Sequence, residues 1–217
     1  MEVSLLIKFG SKKHLEEMRD SGVIYCNTIS YFANTEDRLR RDPMEAVSEL
    51  GYYANANLQI KPINDPSATF QNLKTTKLHF KKKFEKSLGN LYCMSFINVK
   101  LNDGFTDIKL NANFNDFEYC LMILRQDIFK VKLENALSKL PFKTCMRTVE
   151  YLNLQEYTGT KNLFQKNLEH SWQEEIRLAI YTDKYKIHDP YIFSIGSIKD
   201  ISEIIDCSNA NWRIKVS

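Results

Sequence analysis

The order of elements along this 217-residue chain predicts an α+β fold. Three observations carry it. Strand patterns outnumber helix patterns. The two do not alternate regularly, which disfavours a doubly wound sheet. The seven glycines are scattered singly, with no Gly-x-Gly-x-x-Gly or Gly-x-x-x-x-Gly-Lys run, so neither a Rossmann nor a P-loop site is written in the chain. The length suits one domain with a sizeable core, and residues 1–217 read as a single domain.

Each element has a local reason. Val3 to Phe9 is a short apolar run, a buried strand. Ser11 is placed to cap a helix over Lys12 to Ser21, and Gly22 to stop it. Val23 to Asn27 is the next strand. Thr28 to Asp42 is polar and charged, and Pro43 opens a short helix over Met44 to Leu50. Tyr52 to Lys61 is extended, and Pro62 to Ala68 is a loop. The lysine-rich stretch that follows, to Lys86, suits strand or helix equally. Leu91 to Val99 and Phe117 to Leu124 are strands, with a turn at Asn102-Asp103-Gly104. Ile128 to Leu140 is an amphipathic helix ended by Pro141, and Thr144 to Leu152 alternates as a strand. Leu154 to Leu168 is partly helical, Tyr191 to Ile195 is a strand, and a helical turn lies near Ile198 to Ile205.

The segment from Trp172 to Tyr181 holds the strongest chemical signal. Ile176, Leu178 and Ile180 face one way and Arg177, Ala179 and Tyr181 the other, as in a half-buried strand. Gln173 and Glu175 stand two apart and would share a face at the strand's entrance. A carboxylate there can stabilise positive charge developing on a ribose, and an amide can orient a second reactant. An ADP-ribosyltransferase needs such a Gln-x-Glu pair. A solvated strand end explains the same pair without chemistry.

Composition narrows the remaining classes. A 43% hydrophobic and 26% charged chain is an ordinary globular protein, and a net charge of +3 is too small to mark a nucleic-acid binder. Two local clusters matter more: Arg38, Arg40 and Arg41, then Lys74, Lys77, Lys81, Lys82 and Lys83. Each suits a solvated face or a phosphate-bearing partner. Five cysteines without a Cys-x-x-Cys pair argue against a disulfide framework or a zinc site. Cys26, Cys93 and Cys120 read as small core residues. The histidines His14, His79, His170 and His188 form no His-Glu-x-x-His motif, and His170 reads as a surface or loop residue. Without a basic leader or a span-length apolar run, the chain is expected to be cytoplasmic and to have no membrane partner. Asp42 and Glu45 leave a metal-dependent nuclease open as a competing enzyme reading.

Taken in order, four segments resemble a widespread bacterial family, long catalogued as a domain of unknown function and thought to have an ADP-ribosyltransferase-like fold. They are Leu6-Ile7-Lys8-Phe9-Gly10-Ser11; Gly22-Val23-Ile24-Tyr25-Cys26-Asn27-Thr28 with Tyr31-Phe32 and Asp42-Pro43-Met44-Glu45; Tyr92-Cys93-Met94-Ser95-Phe96; and Glu174-Glu175-Ile176-Arg177-Leu178. Ile195 to Asp200 adds a similar tail. The chain departs from the family pattern at Thr35 to Arg41, an insertion before Asp42, and at Val99 to Asn115, where a Met-Trp-x-x-Tyr segment is replaced.

The resemblance implies two small, mostly antiparallel sheets forming an NAD cleft, with flanking helices. It implies that NAD is consumed as co-substrate without a metal. Glu175 would be the catalytic glutamate and Gln173 would orient the acceptor. Lys8 would contact the adenosine side, and the backbone of Phe9 and Gly10 the nicotinamide amide. Ser95 would support the ribose or the carboxylate. Tyr31 or Phe32 would stack on nicotinamide, and an arginine such as Arg41 would lie near the pyrophosphate. The expected activity is mono-ADP-ribosyl transfer to a macromolecule, RNA or DNA favoured over protein. The chain would then be a toxin or phage-defence effector with an antitoxin or inhibitor protein as partner. A fold-related module that binds a nucleotide or a partner without catalysis is the non-enzymatic alternative.

Overall fold

The computed structural model describes residues 2–36, 41–84, 89–100, 105–182, 189–207 and 211–215. Arg38, Arg40, Lys86, His188 and the Asn102-Asp103-Gly104 turn lie outside the described residues. The chain is a mixed α+β protein of mostly antiparallel strands with few helices.

Its first half contains β1 (Glu2–Gly10), α1 (Lys12–Ser21), β2 (Val23–Thr28), α2 (Ile29–Asn34), β3 (Val47–Ile60), β4 (Gln71–Lys83), β5 (Asn90–Lys100) and β6 (Phe105–Lys109). The second half contains β7 (Tyr119–Ile123), α3 (Gln126–Leu137), β8 (Lys143–Thr148), β9 (Glu150–Leu152), β10 (Gly159–Thr160) and β11 (Gln165–Asn167). A 3-10 turn (Leu168–Gln173) leads into β12 (Glu175–Tyr181), and β13 (Tyr191–Ser194), β14 (Ser202–Asp206) and β15 (Asn211–Lys215) complete it.

Where two small sheets were expected, the described strands form one eight-stranded sheet, a three-stranded sheet and two strand pairs. The large sheet runs β13-β2-β5-β1-β7-β14, with β12 on β5 and β8 on β12. Strand β5 is its hub. β12 covers one edge of β5 from Asn90 to Ser95. On the other edge β1 pairs from Ser95 to Lys100 and β2 only at Asn90 and Leu91. The sheet therefore opens beside Tyr92 to Met94.

The alternation of β12 divides the core as its sequence pattern requires. Leu178 and Ile180 pack with Leu6, Leu121, Ile123 and Phe129 beneath α1 and α3. Ala179 packs on the opposite face with Ile29, Leu91 and Leu163. Each fully buried Leu or Ile contributes about 2 kcal/mol relative to exposure. Helix α1 ends at Gly22, whose φ of 65° is left-handed and whose N–H donates to the Glu17 carbonyl. A Cβ there would collide with the Gly196 carbonyl, so the position requires glycine for two reasons.

Two expected helical stretches are replaced. Met44 to Leu50 is a turn leading into β3: the Asp42 carboxylate accepts from the Met44 N–H at 2.8 Å. Val47 and Leu50 have helical spacing, yet both are buried in a strand because the register shifts between Val47 and Glu49. Such a bulge puts residues three apart on one face. Leu154 to Leu168 holds turns and the short β10 and β11, whose pairing with β3 and β9 overrides local helix propensity. The helical turn expected near Ile198 to Ile205 is the 3-10 turn Lys199–Ile201, and β14 follows from Ser202.

Candidate functional site

The opening beside Tyr92 to Met94 is the mouth of a cleft of about 480 Å³. That volume is within the usual range for small-molecule sites. Lys8, Phe9 and Gly10 reach it from the end of β1, Tyr31 and Phe32 from α2, and Ser95 from β5. Gln173 and Glu175 reach it from the start of β12. Residues far apart in the chain converge because β1, β2 and β12 all pair with β5.

Glu175 stands directly opposite Ser95 in the β12–β5 ladder, so the two side chains share a face. Both are almost fully buried, at 5% and 6% exposure. The Glu175 carboxylate accepts from Arg177 Nε at 2.7 Å through Oε1 and from Lys166 Nζ at 3.1 Å through Oε2. Lys166 Nζ also donates to Gln173 Oε1 at 2.7 Å. Gln173 is not on the strand as expected. It ends the 3-10 turn, and Glu174 adopts a left-handed φ of 42° before β12 begins. Lys166, rather than strand alternation, joins the amide to the carboxylate.

The network continues behind Glu175. The Arg177 guanidinium bonds Glu45 through Nη2–Oε1 at 2.6 Å and Nη1–Oε2 at 3.0 Å, and also donates to the Leu163 carbonyl. Arg177 and Glu45 are each 1% exposed. The Glu175 backbone N–H donates to the Tyr151 hydroxyl at 2.9 Å. Burial alone would raise the Glu175 and Glu45 pKa values. The charges of Arg177 and Lys166 overcome it, and they hold Glu175 well below the usual carboxylate range and Glu45 below its ordinary value. Asp42 goes the other way: burial and the neighbouring Glu45 charge raise it. Its Oδ2 and the Lys161 Nζ are buried without a hydrogen-bond partner among the described residues.

Lys8 donates from Nζ to the Cys93 carbonyl at 2.6 Å, across the gap that β1 and β2 leave on β5, and lies 4.6 Å from the Tyr92 ring centroid. Phe9 lines the cleft but is also a core residue, stacked on Phe114 with centroids 4.2 Å apart. Tyr31 and Phe32 meet edge to face with centroids 5.4 Å apart, and both line the cleft. Arg41 is exposed and does not line the cleft, because the chain runs from it straight into the buried Asp42. The polar segment Thr28 to Asp42 opens as helix α2, capped by Thr28, whose hydroxyl accepts from the Tyr31 N–H.

Sequence reading gave Arg177, Lys166 and Tyr151 no site role, and Glu45 only a place in a metal site. Arg177 had a signal: a charge inside an otherwise buried strand needs a buried partner. Lys166 had none, since its place depends on how the chain between β10 and β12 folds back. His170, read as a surface or loop residue, has a side chain only 14% exposed. Burial and the Lys166 charge lower its pKa. His14 and Trp172 also line the cleft.

All five cysteines are free thiols. Among the described residues no three His, Cys, Asp or Glu side chains gather as a metal site, and no helix is long and apolar enough to cross a membrane. Compared with protein-family models, with curated proteins and with solved structures, the chain matches none.

Proposed function

We propose that the protein is an ADP-ribosyltransferase that cleaves NAD and passes ADP-ribose to a macromolecular acceptor, on an ADP-ribosyltransferase-like fold. One observation carries the reading. A buried glutamate, held ionised by two cations, faces a serine in a cleft that a lysine, aromatic rings and the Phe9-Gly10 end of β1 also line.

The chemistry follows from that arrangement. As the bond between nicotinamide and the ribose C1′ breaks, its electron pair leaves with nicotinamide and positive charge builds on the ribose. An acceptor oxygen or nitrogen then bonds to C1′ and loses its proton. A fixed carboxylate at the ribose stabilises that charge without reorganising. Arg177 and Lys166 keep Glu175 ionised and immobile. The two carboxylate oxygens offer about four acceptor sites, and Arg177, Lys166 and the Cys93 thiol take three, which leaves one for a ribose hydroxyl. Gln173 orients the acceptor, Lys8 meets the adenosine side, and Tyr31 or Phe32 stacks on nicotinamide.

The competing reading, a nucleotide-binding module without catalysis, rests on the same two cations. They already neutralise Glu175, which lowers the field left for a ribosyl cation. Incubation with NAD and chromatography of released nicotinamide, with and without a chelator, separates the readings. Chelator-independent release supports the transferase. Retained NAD affinity without release supports the module. Metal-dependent cleavage of a nucleic acid, without release, supports the nuclease.

A further inference from the structure

Strands β3 and β4 form a long hairpin whose outer part is exposed on both faces. Its base is fixed: Val47 and Leu50 are buried against Leu154. Beyond Leu50, at about 3.3 Å per residue, it reaches roughly 30 Å.

Its charge is distinctive. Residues 47–83 hold six lysines and two carboxylates, a net +4, whereas the whole chain carries +3, so the remainder is at −1. Lys77, Lys81 and Lys83 alternate along one face of β4, and Lys74 and Lys82 along the other. None of these five has an ion-pair partner among the described residues. Rings stand between the charges. Phe80 covers Gly51, where a Cβ would collide with the ring. It stacks on Tyr53 with centroids 6.0 Å apart and planes 23° apart, and both rings are more than 40% exposed. On the other face Tyr52 lies 5.0 Å from His79.

Lysines on an edge strand discourage aggregation. That accounts for the charge and leaves the exposed rings unexplained. The tip exposes Ile60, Ile63 and Phe70, with Lys61 Nζ 5.1 Å from the Phe70 ring, but a membrane-inserting tip would not need the further rings of Tyr53 and Phe80 near the base, interleaved with lysines. Cations tracking phosphates and rings stacking bases are the two elements of single-strand recognition. We infer that the β3–β4 hairpin binds single-stranded nucleic acid and presents it to the cleft. β3 starts two residues after Glu45, whose carboxylate holds Arg177, so the arm rises from the site's own network. The inference names the acceptor class of the transfer proposed above and rests on that reading for its purpose.

The test is fluorescence anisotropy with labelled single-stranded RNA and DNA of about 20 bases, over a salt series from about 50 mM. Nicotinamide release and melting temperature are measured on the same variants. Combined Lys74→Gln, Lys77→Gln and Lys81→Gln should weaken binding at least about tenfold and flatten the salt slope by two to three. Phe80→Ala should weaken it about tenfold with the slope unchanged. Nicotinamide release should not change in either. Oligonucleotide affinity insensitive to both variants overturns the inference, even if NAD is cleaved. So does hairpin-dependent binding to phosphatidylserine vesicles with none to oligonucleotides. Hairpin-dependent oligonucleotide binding without any nicotinamide release upholds the inference and sinks the transferase reading.

Discussion

Arg177 and Glu45, 132 residues apart, meet in a two-bond contact buried behind Glu175. The contact links the turn before β3 to the strand that carries Glu175. One guanidinium thus serves two carboxylates. The Nε edge fixes Glu175 and the other two nitrogens fix Glu45.

Removing one partner should therefore cost far more than a surface ion pair. Glu45→Gln or Arg177→Met leaves a buried charge unmatched, at about 3–5 kcal/mol. For a chain of this size that lowers Tm by roughly 10 °C. Arg177→Lys should not rescue it, because an ammonium cannot span both carboxylates. The double variant should lose less than the sum of the singles, since no orphaned charge remains. Thermal melts of wild type and the four variants measure this, and additive losses would show that the two residues act independently.

Asp42 should behave with the opposite sign. Its folded pKa is raised, so the fold favours the neutral acid and is weakened by Asp42 at pH values above that pKa. Asp42→Asn keeps an acceptor for the Met44 N–H and removes the buried charge. Tm should rise at pH 7 to 8, with the gain shrinking as pH falls towards 3.8, the ordinary Asp value. Glu45 and Glu175 have lowered folded pKa values. Their stabilisation is present above 4.5, the ordinary Glu value, and is lost as pH falls through the folded values. A lower Tm for Asp42→Asn at pH 8 would mean that the Asp42 charge is instead held by Lys161 and Lys166.

How much of this was legible in sequence depends on the range of the interactions. Strands β1, β2, β5, β7, β8 and β12 and helices α1 and α3 follow from local periodicity, and α1 also from its stop at Gly22; the Ser11 hydroxyl, placed to cap α1, instead meets His14 Nδ1 at 3.1 Å. The hairpin's first strand was legible from Tyr52 onward. Its bulge at Val47 was not, because a three-residue apolar spacing reads as a helical turn. The convergence of Lys8, Gly10, Ser95 and Glu175 on one cleft matches the motif order. The cations on Glu175 were not visible, since Lys166 arrives through the β9–β11 pair and no spacing rule connects it to Glu175. Arg41 was misplaced for a similar reason. A cluster of arginines marks charge but not where the backbone aims it.

The pH dependence of nicotinamide release should show no acid limb from Glu175. Arg177 and Lys166 hold its pKa well below the usual range, so its charge is constant between about pH 5 and 9. Initial rates across that range, at saturating NAD, test this. A limb that moves in Lys166→Met would reveal that the carboxylate titrates during turnover, against the geometry.

The most exacting prediction separates Glu175 from Gln173. If Glu175 stabilises the ribosyl cation, every outcome of NAD cleavage needs it, whether water or a macromolecule accepts. Glu175→Gln should lower nicotinamide release by about 10²–10³-fold, the loss typical of one preorganised electrostatic group. Gln173→Ala should spare release and depress acceptor labelling, because positioning is lost while charge stabilisation stays. Glu175 also supports the fold. Its carboxylate is buried on two cations, so the Gln variant should also melt lower, by an amount comparable to Glu45→Gln. Ser95→Ala supplies the control, since it touches the same floor without unmatching a charge. It should melt near wild type and release nicotinamide more slowly. Glu174→Gln sits outside the cleft lining on a left-handed residue, and should leave release unchanged. Were Glu174→Gln to abolish release while a folded Glu175→Gln kept it, the reactive carboxylate would be the neighbour. Were neither variant nor Ser95→Ala to change release, the cleft would not be where NAD is cut.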